Sequence, residues 1–512
     1  MKKIIISSIL AAATCLSAGA EGFSNPIIPG FYPDPSICRA DSDYYIVNSS
    51  FEYFPGVPIF HSRDLINWRQ LGYVLDRESQ LKIKGGNMWG GIYAPTIRYN
   101  DGVFYMVTTN NTDRGNFLVH TTDPKSGKWS DPVWLTQKGI DPSLYFEDGR
   151  CYMVSNPDDA IWLCEIDPMT GKQLTESKII WRGTGGRYPE GPHIYRHGGW
   201  YYLMISEGGT EYGHKVTIAR SKKIDGPYES NPANPILTHI NQNAQTNPIQ
   251  GVGHPDMVEA PDGSWWLVCL AFRPTGGQHH ILGRETFLAP VKWSDDGWPV
   301  VNGDGTISLE MPECGLPAKA EASGTLNTDR DFNDSKLGLE WNWLGNYEKK
   351  NYSLSERPGY LRIKGSKLTL DNPGSPSFVG RRQQHFDFTA TTEVETNGAV
   401  SAGITAYLWP EAHYELYIKE GRLLLRYRIG LLLHEEEVCK LPSDSAYLRI
   451  SGNEDYYTFA YSTDGVNFSE AGIMNMRYLS SETNGGFTGV YIGLFAEGDG
   501  YADFDFFDYQ KK

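Results

Sequence analysis

The chain is short of cysteine, of positive charge and of long apolar runs, and each shortage excludes a class of protein. Seven cysteines stand among 512 residues, with no Cys-x-x-Cys pair and no His/Cys spacing of a metal site. That argues against a disulfide scaffold or a zinc ribbon. Lysine and arginine number 46 against 62 acids, a net charge of −16. Proteins that grip nucleic acid need clustered cations on one face, so a polyanion partner is excluded. Beyond the N-terminal twenty residues, no segment approaches the ~18 apolar residues of a membrane helix. The helical period is also nearly absent from the first half of the chain. Hydrophobic residues still make up 40%, enough for a sizeable core. Aromatics reach 13%, with 14 Trp and 31 Tyr. Rings of this kind favour strands, and their flat faces also stack on sugars.

The first twenty residues read as an export signal. Lys2 and Lys3 form a basic start, Ile4 to Leu16 is apolar, and Ala18-Gly19-Ala20 offers a small-residue cleavage site. Ala12-Ala13-Thr14 is a poor context for a lipid anchor on Cys15. A periplasmic or secreted chain without a membrane span is therefore expected. After cleavage, Cys38, Cys151, Cys164, Cys269, Cys314 and Cys439 remain. Several lie in apolar strand-like runs and are expected to be buried small hydrophobes.

One pattern recurs five times: a Pro on a strand, a tight turn, then an aromatic-rich strand. The prolines are Pro35, Pro95, Pro142, Pro192 and Pro255, so the spacings are 60, 47, 50 and 63. The turns include Asn100-Asp101-Gly102, Glu147-Asp148-Gly149 and His197-Gly198-Gly199, strong hairpin signals. The second strands read YYIV, FYMV, CYMV, YYLM and WWLV. The third strands are expected at IFHS, FLVHT, IWLCE, VTIAR and ILGRE. Repeating β-units of about 50 residues predict a five-bladed β-propeller, here over residues 21–315. Residues 313–324 look like a linker. The alternating strands beyond it carry no such repeat and predict a β-sandwich of jelly-roll type over 323–512.

In a propeller the first strand of each blade lines the central channel. The residues just before each Pro then share one mouth: Asp34, Ala94, Asp141, His254 and, one step earlier, Glu190. Three acids at one rim repel one another, which a purely structural role does not explain. Asp101, Asp148 and Asp262 differ, because a turn accounts for each of them. Clustered acids among aromatics suit glycosidic bond hydrolysis, with one acid protonating the leaving oxygen and one carboxylate activating water or attacking carbon. A third negative charge nearby keeps the acid protonated.

Several motifs resemble glycoside hydrolase family 43, whose members act on β-xylosides and α-L-arabinofuranosides. They are the run from Asn25 to Ser36, Ser49-Ser50-Phe51-Glu52-Tyr53-Phe54-Pro55-Gly56, Gly139-Ile140-Asp141-Pro142-Ser143-Leu144 and Glu190-Gly191-Pro192-His193. The resemblance implies an inverting, exo-acting enzyme with Asp34 as general base, Glu190 as general acid and Asp141 orienting that acid. It makes Phe51, Phe54 and Tyr93 pocket walls, Arg284 a contact for substrate hydroxyls and His254 the channel histidine. In many members that histidine lies near a bound calcium ion; a hydrogen-bonded structural His is the alternative. The resemblance implies no required cofactor and leaves room for a structural calcium ion in the propeller channel. Many members carry Trp in the place of Tyr93, which bears on the sugar preferred. The expected substrate is a plant cell-wall oligosaccharide or polysaccharide, with α-L-arabinofuranosidase the first reading and β-D-xylosidase the second. A fructan hydrolase of the invertase type would carry Asn-Asp-Pro-Asn, Arg-Asp-Pro and Glu-Cys motifs, where this chain has Pro33-Asp34-Pro35-Ser36, Ile140-Asp141-Pro142 and Glu190-Gly191-Pro192. A non-catalytic carbohydrate-binding propeller is the reading from another class, and three intact acids argue against it. The sandwich is expected to cover apolar propeller surface, with a loop lent to the pocket or glycan binding as the alternatives.

N-terminal sequencing of the exported protein is expected to begin at or near Glu21. A chain beginning at a lipidated Cys15 would contradict a soluble product.

Overall fold

Asp-Gly turns set the hairpins. Asp101 and Gly102 have φ of 48° and 81°, and Asp148 and Gly149 have 50° and 74°. Two consecutive positive φ values match the twist of the flanking strands, so the chain reverses without splaying them. A computed structural model of the chain describes residues 22–84, 87–311 and 331–512. The export signal, Cys15, Cys314 and the proposed boundary between the two halves lie outside the described residues.

Each repeat forms one antiparallel sheet, five in all. The innermost strands are Ser36–Ala40, Thr96–Asn100, Ile140–Glu147, Glu190–His197 and Gln250–Glu259. The second strands, such as Val103–Asn110 and Trp265–Phe272, are buried almost throughout. Both faces of each sheet are apolar because each packs against two neighbours. Ile37, Ile46 and Phe60 of the first sheet meet Val258, Trp266 and Leu288 of the fifth, which closes the ring. Cys38, Cys151, Cys164 and Cys269 are free and buried in the wedges between sheets. The ring is also tied at its seam. Phe23–Ser24 pairs with Glu310–Met311, and Asn25 exchanges hydrogen bonds with Leu288 across 263 residues.

A carboxylate lies inside the channel. Asp256 is fully buried and accepts from Ser36 Oγ (2.6 Å), the Ile37 N–H (3.0 Å), Tyr195 Oη (2.7 Å) and both terminal nitrogens of Arg98 (2.7 and 3.1 Å). It therefore joins the first, second, fourth and fifth sheets. Burial pushes its carboxyl up, but Arg98 and the other donors outweigh that and hold it at about 2.

One expected strand is corrected. The third strand of the fifth sheet is Glu285–Trp293, so ILGRE contributes little more than its last residue. Ile281 and Leu282 instead belong to the core of the second half. The Ile281 carbonyl accepts from the Val490 N–H at 2.9 Å. The apolar residues were placed as strand because an alternating run does not say which domain buries it.

The second half is a β-sandwich. Phe388–Trp409 and Tyr491–Lys511 pair along most of their length and serve both of its layers. It is continuous with the propeller, since Trp343 and Leu344 pair with Phe54 and Tyr53. Arg382 is buried and donates to the Phe31 carbonyl at 2.6 Å. Phe31, Phe51 and Tyr53 share one apolar cluster with Phe378, Tyr407 and Tyr491.

Asp256→Ala is expected to destabilise the protein by ~3–5 kcal/mol, because Arg98 loses its buried counter-charge. A carboxyl lowered to about 2 from 3.8 stabilises the fold above pH ~4 and loses that effect as pH falls toward 2. The gap in urea midpoint between wild type and variant should thus be narrower at pH 3 than at pH 6. An unchanged gap would contradict this role.

Candidate active site

The repeating prolines explain how the rim side chains leave the ladder. Proline cannot donate to a neighbouring strand, and the inner strands slip register beside it. Shifts fall between Ile140 and Ser143, between Glu190 and His193, and between Gly253 and Asp256. Such bulges re-aim side chains. Asp34, Asp141 and His254 have left-handed φ of 52°, 49° and 47°. For non-glycine residues that strain persists only where the surroundings enforce it. Gly191 has φ of 57°, a conformation that favours glycine, and a Cβ there would sit a tight 3.1 Å from the His254 ring.

Seven of the eight residues expected in the site line one recess of about 50 Å³: Asp34, Phe51, Tyr93, Asp141, Glu190, His254 and Arg284. Phe54 is not brought to it. Its ring packs on Tyr347 at 5.4 Å, in the two-residue strand that pairs with the sandwich. It follows Phe51 too closely in an irregular segment for sequence to separate a pocket wall from an interdomain contact.

Asp34 is buried. Its Oδ1 accepts from Arg284 Nη1 at 2.7 Å and its Oδ2 from Ser49 Oγ. Burial alone would raise its carboxyl, yet Arg284, His254, Ser49 and His214 together hold it below the usual carboxylate range. Asp141 goes the other way. Burial, the charge of Glu190 and that of Asp34 push it well above that range, against one hydrogen bond from the Gly191 N–H at 3.2 Å. Burial lowers His254 despite Asp34 and Glu190, so its ring is neutral near pH 7. Asp34 is thus biased toward its ionised form and Asp141 toward its protonated one, and such a separation of neighbouring carboxyls is what acid–base catalysis requires.

The recess opens into a cleft of about 530 Å³. Ile140, Glu190, Thr210, Arg284 and Phe487 line both, whereas Asp34 and Asp141 line only the recess. Glu190 therefore stands at the junction. Its Oε1 lies 3.3 Å from Nε2 of the buried His214, a contact without hydrogen-bond geometry. Phe487 comes from the sandwich, which corrects the expectation that this domain merely covers the propeller. Its N–H donates to the Met88 carbonyl at 3.0 Å, and its ring meets Phe51 at 5.4 Å and Trp89 at 4.9 Å. The preceding turn is clamped by Glu482, which accepts from the His280 N–H (2.8 Å), His280 Nδ1 (2.6 Å) and Tyr212 Oη (3.1 Å).

Calcium takes six to eight oxygen ligands. Among the described residues, no group of three or more His, Cys, Asp or Glu is arranged to hold a metal ion. The protein side chains beside His254 do not make a calcium cage.

Three carboxyls around one recess at the mouth of a closed propeller, with Asp34 biased toward its ionised form and Asp141 toward its protonated one, make the constellation of a glycoside hydrolase. The comparisons agree. The chain belongs to glycosyl hydrolases family 43, whose model matches residues 23–299, and residues 329–510 match the beta xylosidase C-terminal Concanavalin A-like domain. The chain is 42% identical to the non-reducing end alpha-L-arabinofuranosidase BoGH43B of Bacteroides ovatus, over 97% of this chain and 96% of that protein. It is 38% identical to a xylosidase/arabinosidase of Butyrivibrio fibrisolvens, over 95% of this chain and 99% of the relative. Among solved structures, Bacteroides ovatus Xyloglucan PUL GH43B superposes with a TM-score of 0.90 at 40% identity, covering 96% of this chain and 100% of the other. A xylan beta-1,4-xylosidase from Bacillus halodurans gives a TM-score of 0.89 at 35% identity, with the same coverage.

Phe487→Ala in the full-length protein is expected to lower kcat/KM on any pentoside substrate roughly 10- to 100-fold, the loss that follows from removing ~1.5–3 kcal/mol of buried aromatic contact. Unchanged kcat/KM would return the sandwich to a covering role.

Proposed function

We propose that the protein is an exo-acting, inverting glycoside hydrolase that removes terminal α-L-arabinofuranosyl groups from plant cell-wall oligosaccharides or polysaccharides. The observation that carries this reading is the position of Glu190 between a small recess and a large cleft. A pentose in the recess and the rest of the glycan in the cleft put the bond between them beside that carboxyl. Glu190 gives its proton to the leaving oxygen as the bond to the anomeric carbon breaks. Asp34, kept ionised by Arg284 and Ser49, takes a proton from the water whose oxygen bonds to that carbon. Asp141 accepts from the Gly191 N–H and so orients the residue next to it. Arg284 and His254 face the recess as contacts for sugar hydroxyls.

The 42% identical relative is named a non-reducing end arabinofuranosidase, and the 0.90 structural neighbour is described with xyloglucan. β-D-xylosidase is the second reading, favoured by the xylosidases of Bacillus among the relatives. The two pentoses differ in a recess like this by only ~1–3 kcal/mol of pocket contact. The N-terminal signal supports export.

A general acid matters in proportion to the basicity of the leaving group. Glu190→Gln should nearly abolish activity on oligosaccharides while retaining much more on 4-nitrophenyl pentosides, whose phenol departs with little protonation. Asp34→Asn should lose at least ~10²-fold on both kinds of substrate. Side-by-side kinetics check this. Leaving-group dependence in Asp34→Asn instead of Glu190→Gln would reverse the two roles, and release of no pentose from any substrate would reject the hydrolase reading.

A further inference from the structure

The cleft outside the recess has features that pentose hydrolysis alone does not use. Tyr188 lies on its lip and is 63% exposed, the most exposed aromatic among the large hydrophobics of the described residues. Its φ is 54°, a left-handed conformation that is unfavourable for a bulky side chain. Pro189 follows it, and a residue before proline is pushed toward extended backbone. Two local preferences are thus overridden at a position two residues from Glu190. The enforcing surroundings are visible. Glu207 is buried and accepts from the Thr184 N–H (3.0 Å), Thr184 Oγ1 (2.7 Å) and the Gly186 N–H (2.8 Å), which ties down the loop leading to Tyr188. Arg187 Nε donates to the Gly208 carbonyl at 2.9 Å, and its guanidinium pairs with Glu211. The Arg187 guanidinium lies 5.3 Å from the centre of the Tyr188 ring, and an exposed aromatic on a loop held this firmly, at a cost to the backbone, has its explanation in what it meets outside the protein.

A second aromatic, Trp89, lines the cleft and is 45% exposed. The charge of the lining has one dominant sign. Asp158, Glu190, Glu211 and Glu482 line it against Arg284; Arg284 is paired with Asp34, Glu211 with Arg187 and Glu482 with His280, which leaves the acids in excess. An acidic lining repels uronic acids and leaves neutral sugars, whose apolar C–H faces stack on aromatic rings. The volume of about 530 Å³ is that of a sizeable ligand.

We propose that this cleft binds a neutral oligosaccharide chain on the leaving-group side, more than one sugar long, and that Tyr188 is the platform that selects it. The proposal deepens the hydrolase reading and rests on it for direction, because the chain in the cleft is the part released when the terminal pentose is removed. The recess sets which sugar is cut off, and Tyr188 sets what it is cut from.

The test uses the full-length protein and a series of neutral oligosaccharides bearing one terminal pentose, with leaving chains of one to four sugars and a methyl glycoside as the shortest member. Wild-type kcat/KM is expected to rise roughly tenfold or more along the series, a gain on the scale of one good pocket contact. Tyr188→Gly, which tolerates the left-handed backbone, should flatten that rise with the melting temperature unchanged or higher. Tyr188→Phe should keep the rise. A readout independent of turnover is calorimetric titration with the pentose-free neutral tetrasaccharide and with a tetragalacturonate. Wild type should bind the first and not the second, and Tyr188→Gly should bind neither. The same fractional loss at every chain length, no length dependence in wild type, or tighter binding of tetragalacturonate would overturn the proposal. Absence of all turnover with intact, Tyr188-dependent binding would instead remove the hydrolase reading and leave the chain-binding cleft standing.

Discussion

The active site depends on one guanidinium. Arg284 reaches Asp34 of the first sheet at 2.7 Å, Thr210 beside the fourth at 3.0 Å and the Phe487 carbonyl of the sandwich at 3.3 Å. It also lies over the Phe51 and Phe487 rings, at 5.4 and 5.5 Å from their centroids. Its own backbone is fixed from elsewhere, since Ile281 and Leu282 are anchored in the sandwich core. One charged group thus locks two domains together and keeps a buried carboxylate ionised. Without that cation, burial would push Asp34 toward its neutral form, which cannot accept a proton from water.

The opposite bias at Asp141 comes from the same enclosure. Three acids share a channel mouth too small to hold three negative charges, and the cation sits nearest one of them. Asp141, on the other side, is therefore biased toward its protonated form. The opposite biases of Asp34 and Asp141 follow from where Arg284 is placed, not from residue type, since the two occupy equivalent positions in repeats of the same design.

Much of this was legible in the sequence because it repeats. A Pro, a turn and an aromatic strand recurring five times set the propeller, and the residue before each Pro marked the rim without any tertiary information. All five rim positions line one recess. What was not legible are contacts between segments far apart in sequence. Phe487 stands in a Gly-Gly-Phe turn of the sandwich, more than 200 residues from Arg284, and nothing in its own neighbourhood points to a propeller. The Ile281–Arg284 segment has strand-like composition but is drawn into the other domain. Phe54 reads as a pocket wall beside Phe51, yet two residues of edge pairing with Leu344 and Trp343 turn it away. Ser49, Thr210 and His214 carried no periodic signal. The Gly208-Gly209 pair before Thr210, a sign of close backbone approach, was the one local hint. Tyr188 is illegible in the sequence for a different reason: its backbone adopts a conformation that its residue type disfavours.

The central claim is that Arg284 sets the ionisation order of the rim. Carbon-13 NMR of full-length protein labelled at the aspartate side-chain carboxyls, followed through pH, tests it most directly, with Asp34 and Asp141 assigned from their Asn variants. The account predicts that Asp34 titrates below the usual carboxylate range and Asp141 well above it. In Arg284→Met, Asp34 should move upward. Two aspartates titrating together in the ordinary range, or an Asp34 indifferent to loss of Arg284, would contradict it.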